Sequence, residues 1–156
     1  MTGNATPPPA CPAQPGEWAA LRFRHPFRHY QQIVLDVFVR NRAAGDRKFH
    51  IVAPPGAGKT VIGVEIIRQI GPPAAIFSPT TPIQQQWQEQ FRLFCRTGDE
   101  ALADRLLSSD PRSLRAVNTL TYQVIGTADH NRDFLRDLGL QQWQRCRSSR
   151  NWSGLA

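Results

Sequence analysis

Lysine is nearly missing from this basic chain. Of its 19 Lys and Arg residues only Lys48 and Lys59 are lysines. Cysteine is scarce as well. Cys11, Cys95 and Cys146 are scattered and odd in number, with no CxxC or Cys/His ligand spacing. That excludes a zinc site of ordinary spacing and a disulfide framework, and it fits a reducing compartment. No apolar run approaches the ~20 residues of a membrane-spanning helix. The N-terminus lacks a basic-then-apolar signal pattern. A cytoplasmic protein with no membrane partner is therefore expected. Acidic residues are too few to balance the arginines: 12 Asp and Glu leave a formal net charge of +7. Such an excess favours an anionic partner, nucleic acid first and an acidic membrane surface second. Arg suits bidentate phosphate contact better than Lys, although an Arg-, Ala- and Pro-rich chain also matches a compositional bias.

The 156 residues are the length of one domain. Residues 1–16 hold five prolines among small residues and are expected to be a disordered lead-in. A folded domain is expected over 17–139, beginning near Trp18, and an irregular, disordered tail over 140–156. From 27 to 40, Tyr30, Ile33, Val34, Val37 and Phe38 recur at three- and four-residue steps, which predicts an amphipathic helix. Strands are predicted at 49–53, 74–77 and 115–120, and helices after residue 60, at 83–94, at 99–107 and at 131–138. Gly71-Pro72-Pro73 is a strong helix stop. Strands alternating with helices imply an α/β fold, a parallel sheet with flanking helices.

Residues 53–60, Ala-Pro-Pro-Gly-Ala-Gly-Lys-Thr, match a phosphate-binding loop set between an apolar run and a helical pattern. In such a loop Gly56 and Gly58 let the backbone curl until successive N–H groups face a polyphosphate. Pro54, Pro55 and Ala57 complete the cradle. The following helix aims its positive dipole end at the same place. Lys59 supplies a point charge for the β- and γ-phosphates, and the Thr60 hydroxyl is a candidate Mg²⁺ ligand. ATP and Mg²⁺ are the expected cofactors.

Three further segments narrow the reading. Arg28-His29-Tyr30-Gln31 lies upstream of the loop. Ile76-Phe77-Ser78-Pro79-Thr80 with Gln86-Trp87, and then Thr121-Tyr122-Gln123, lie downstream. In this order the chain resembles superfamily 2 helicases, in the DEAD/DEAH-box and type III restriction-subunit-like branch, over about residues 27–126. The resemblance implies the front part of a RecA-like motor domain. It implies that Gln31 reads adenine, since an amide can both donate to and accept from that base edge. It implies that Ser78, Pro79, Thr80 and Thr121 hold a nucleic-acid phosphate, though a helix-capping turn explains those residues as well. Tyr30 and Trp87 read as packing residues. DNA or RNA, and other helicase or restriction subunits, are the implied partners.

One part of the family pattern has no counterpart here. Hydrolysis uses an apolar strand ending in Asp-Glu after the Thr-Tyr-Gln segment, and nothing after Gln123 fits. Asp99-Glu100 precedes that segment and reads as a helix cap with an acidic first turn. No catalytic residue is assigned. The chain is expected to bind nucleotide as the N-terminal part of a nucleic-acid-dependent ATPase without being a competent motor alone. A stand-alone, non-hydrolysing regulatory module and a non-functional truncation product are the alternatives.

Overall fold

The computed structural model describes residues 15–96, 99–111 and 113–126. The lead-in at 1–14, the helix expected at 131–138 and the tail at 140–156 lie outside the described residues. Helices α1 (Pro15–Ala19), α2 (His29–Ala43) and α3 (Lys59–Ile70) precede strand β1 (Ala74–Ser78). Then follow α4 (Thr81–Arg92), α5 (Glu100–Leu106), β2 (Leu107–Ser108), β3 (Val117–Thr121) and α6 (Tyr122–Gly126).

The strands form one parallel sheet in the order β1-β3-β2. Ala74 lies opposite Val117 and Ser78 opposite Thr121, while Leu107 pairs with Val117 on the other side. All five residues of β3 are buried. A central parallel strand is covered on both faces, which is why this segment tolerates no exposed polar side chain. Its two polar residues before the last are satisfied internally. The Asn118 amide donates to Arg115 O at 2.8 Å, and Gln88 Nε2 of α4 donates to Thr119 Oγ1 at 2.8 Å. Gln84 Nε2 also donates to Thr119 O, so two glutamines one turn apart fasten α4 to the strand.

The core lies where α1, α3, α4 and α5 meet the sheet. Trp18, Phe91, Phe94, Leu106 and Val117 are each at most 1% exposed. Trp18 donates its indole N–H to Arg68 O at 3.0 Å, tying α1 to the end of α3. Phe23 stacks between Phe27 and Phe94, with ring centroids 5.0 Å apart in both pairs. Trp87 packs as expected: a Cβ at Gly63 of α3 would sit 2.4 Å from its ring. Gly63 is thus the notch that lets the indole lie on the helix. Cys95 is buried in this core, and burial, with Asp99 nearby, pushes its thiol up to about 11.

One expected element is not formed. Residues 49–53 carry no strand pairing among the described residues, although Phe49, Ile51, Val52 and Ala53 are apolar. A strand needs a partner for its N–H and C=O groups, and none lies beside this one among the described residues. Val52 is 82% exposed. Phe49 packs edge-on against Phe38 of α2, centroids 4.7 Å apart, so the segment is held by side chains. The two-residue β2 falls at the edge of a stretch read as helix and then loop.

Candidate nucleotide-phosphate site

The loop at 53–60 has the backbone that its glycines foretell. Gly56 and Gly58 adopt φ of 76° and 74°, the left-handed region closed to most side chains. Ala57 N donates to Pro54 O at 3.3 Å, which closes the turn. Gly58 is the N-cap of α3, and the first helical bond there is Ile62 N to Gly58 O at 3.2 Å. The earlier N–H groups have no carbonyl partner within the helix, and Gly58 has no side chain to cap them. An uncapped helix start of this kind favours negative charge, since the positive end of the α3 dipole lies behind it. Nothing lies within 4 Å of the place where a Gly56 Cβ would stand, so the loop is open on that side.

Lys59 is exposed and folded back. Its Nζ donates to Ala53 O at 2.8 Å and Pro54 O at 3.0 Å. The charge sits on its own loop carbonyls and can be exchanged for phosphate oxygens at little cost in packing. Thr60 follows at the second helical position, half-buried. Among the described residues no group of three or more His, Cys, Asp or Glu could hold a metal ion by itself. The donor set therefore fits a polyphosphate well. It fits Mg²⁺ only as an ion brought by the phosphates, with Thr60 as the chain's own ligand.

The first turn of α2 lies against this loop. Gln31 is only 5% exposed. Its Oε1 accepts from Arg28 N at 2.9 Å and its Nε2 donates to Ala57 O at 3.3 Å. This is half of a capping box, since an Arg at the N-cap has no side-chain acceptor to complete it. Tyr30, read from sequence as a packing residue, is 37% exposed and donates its hydroxyl to the same Ala57 O. The Tyr30 role was not legible because the sequence shows an aromatic on a helix face but not which oxygen its tip meets.

The segments proposed for nucleic acid are placed less evenly. Pro79 and Thr80 are exposed at the start of α4, and Thr80 is its N-cap although no side-chain cap bond forms. Ser78 is fully buried, and its hydroxyl has no hydrogen-bond partner. Thr121 is 8% exposed at the end of β3, in register with Ser78. The two strand ends thus bring Ser78 and Thr121 together under the α4 N-terminus. Asp99 caps α5, accepting from Leu102 N at 3.2 Å. On α3 the buried Glu65 pairs with Arg68 at 2.6 Å, and this hydrogen bond raises the guanidinium's pKa.

The family model described as type III restriction enzyme, res subunit, matches residues 24–142. The chain belongs to this family. A protein of Halobacterium salinarum named DNA 3'-5' helicase Rad25 is 29% identical over 127 residues, covering 76% of this chain and 19% of the relative. A protein of the same name from Haloarcula marismortui is 27% identical over 119 residues, covering 76% and 18%. The chain thus spans about a fifth of the length of these curated relatives. No solved structure matches it significantly. The res-subunit match and the parallel α/β core together identify a partial RecA-like domain of the superfamily 2 helicase type.

Proposed function

We propose that this chain binds ATP with Mg²⁺ at the loop of residues 54–60, as the nucleotide-binding front of a nucleic-acid-dependent helicase. The observation that carries the reading is the uncapped N-terminus of α3 behind two left-handed glycines, with Lys59 at the first helical position. Pro54, Pro55, Gly56, Ala57 and Gly58 would cradle the phosphates, Lys59 would balance the γ-phosphate, and Thr60 would reach Mg²⁺. Gln31 would read the adenine edge with the hydrogen and lone pair left over from its bonds to Ala57 and Arg28. Ser78, Pro79, Thr80 and Thr121 would face a nucleic-acid backbone, DNA for the relatives by their name; Ser78 would do so through the local frame, since its hydroxyl is buried. Subunits of a larger helicase or restriction assembly are the candidate protein partners.

The proposed role is binding rather than turnover. Hydrolysis needs a water-orienting carboxylate and charge stabilisation from outside the loop, and Asp99 is spent on capping α5. Calorimetry tests the reading. Lys59→Ala should weaken Mg-ATP by about 2–3 kcal/mol, the scale of a hydrogen bond to a charged group plus its Coulomb attraction. Equal affinity in both proteins would refute the site. The same pair, assayed for phosphate release, should show no Lys59-dependent turnover near ~1 s⁻¹, the low end of common enzyme rates.

A further inference from the structure

The geometry points to Tyr30 and Gln31 as a latch on the phosphate loop: positioning residues that hold the Ala57 carbonyl and so fix the peptide on which the cradle turns. For its ligand this rests on the binding site proposed above; for its mechanics it rests on the bare loop. The Tyr30 hydroxyl and Gln31 Nε2 donate to the same oxygen, Ala57 O. A carbonyl has two lone pairs and can take both. The Ala57 carbonyl and the Gly58 N–H belong to one trans peptide plane and point in opposite directions. Holding the oxygen against α2 therefore turns the Gly58 N–H away from α2. Gly58 is also the N-cap of α3, so the latch sets the register between the loop and the helix that would face the phosphates.

Two further contacts show that the latch is built rather than incidental. Arg28 Nη1 donates to the Tyr30 hydroxyl at 3.4 Å, and a hydroxyl that accepts from a cation becomes a better donor. A Cβ on Gly58 would stand 2.6 Å from Gln31 Nε2, so the amide lies close against the loop and would have to shift for any other residue there. Gln31 cannot swing away without freeing Arg28 N, its other partner. Both donors stand on the first turn of a 15-residue helix, a firmer base than the loop itself. Tyr30 is more than a third exposed, so its ring contributes little to the core and its hydroxyl can be removed alone.

The test is Tyr30→Phe in the full chain, read first without ligand. Amide hydrogen exchange at Ala57 and Ile62, whose N–H groups are bonded to Pro54 O and Gly58 O on either side of the latched peptide, should speed up on the order of fivefold, as for loss of one ordinary hydrogen bond, while β3 amides stay unchanged. Mg-ATP and Mg-tripolyphosphate should then both bind more weakly by a similar factor, because the change acts through the phosphate cradle and not through the base. Unchanged loop exchange overturns the latch whatever nucleotide does. Equal acceleration at β3 overturns it too, since the hydroxyl would then be supporting the whole fold. Faster loop exchange in a protein whose Mg-ATP affinity ignores Lys59→Ala upholds the latch and rejects the ligand reading instead.

Discussion

The sheet side of this chain and the α2 side hold similar apolar residues and put them in opposite places. Around the sheet, Ile62, Val64, Phe91 and Val117 are at most 1% exposed. On α2 and the segment after it, Ile33 and Val39 are 50% exposed, Val37 is 40%, and Val52 is 82%. The difference follows from what each element needs. A helix satisfies its own backbone and keeps its form with one face covered, here by Leu35 and Phe38. A strand satisfies its backbone only through neighbours. So 29–43 is helical without a full core, while 49–53 has no strand beside it among the described residues. The loop at 53–60 sits on the boundary between the two regions. The buried side supplies α3, and the sparse side supplies the Tyr30 and Gln31 bonds to Ala57 O from α2.

Substitutions can break or sharpen that contrast. The largest effect is expected from Phe91→Ala. This ring is 1% exposed and tilts against Trp18, with centroids 6.4 Å apart. Its loss should cost about 3–5 kcal/mol, transfer energy plus the cavity left behind. Urea unfolding reads the cost directly. A loss below about 1 kcal/mol would mean that the core under α4 collapses freely and is no firmer than the α2 side.

Gly63→Ala should have the next largest effect. Alanine is favoured over glycine in a helix interior by about 1 kcal/mol. Here the added methyl would meet Trp87 at 2.4 Å, and overpacking of this kind costs about 1–3 kcal/mol. The net change should be destabilising by roughly 1 kcal/mol, and adding Trp87→Ala should remove that penalty. A Gly63→Ala protein more stable than the parent would show that the α3–α4 contact yields easily.

What sequence made legible divides along the same line. The glycine turn before α3, α3 itself and its stop at Gly71 could be read because turn residues and helix ends are local signals. Strands β1 and β3 were visible as apolar runs between turn residues, within a residue or two of their ends. Asp99 as a cap and Trp87 as packing were also foreseen. The run at 49–53 has the same composition as a strand and was expected to be one. Composition cannot reveal whether a neighbour is present, and pairing is decided by tertiary context. The two-residue β2 escaped for the converse reason: it is a strand only because β3 lies beside it. Tyr30 escaped because its hydroxyl meets an oxygen 27 positions away.

The smallest expected effect is that of Val52→Thr, and the same substitution at buried Val64 is its control, so that burial is isolated from chemistry. Val→Thr keeps the shape of the side chain and exchanges a methyl for a hydroxyl. At Val64, fully buried on α3, the hydroxyl must give up water, and such burial costs about 1–3 kcal/mol by mutational measures. At Val52, 82% exposed, the hydroxyl stays in water, so stability should change by no more than about 0.5 kcal/mol. Urea midpoints for the two variants, each at a low and a high protein concentration, measure the contrast. Open edges attract other strands, which makes the concentration arm decisive. If Val52→Thr stays near zero at both concentrations, residues 49–53 stand in water as described. If it costs as much as Val64→Thr, and more at high concentration, then the segment is covered by a second copy in solution. The contrast between the two regions would then hold for the single chain alone.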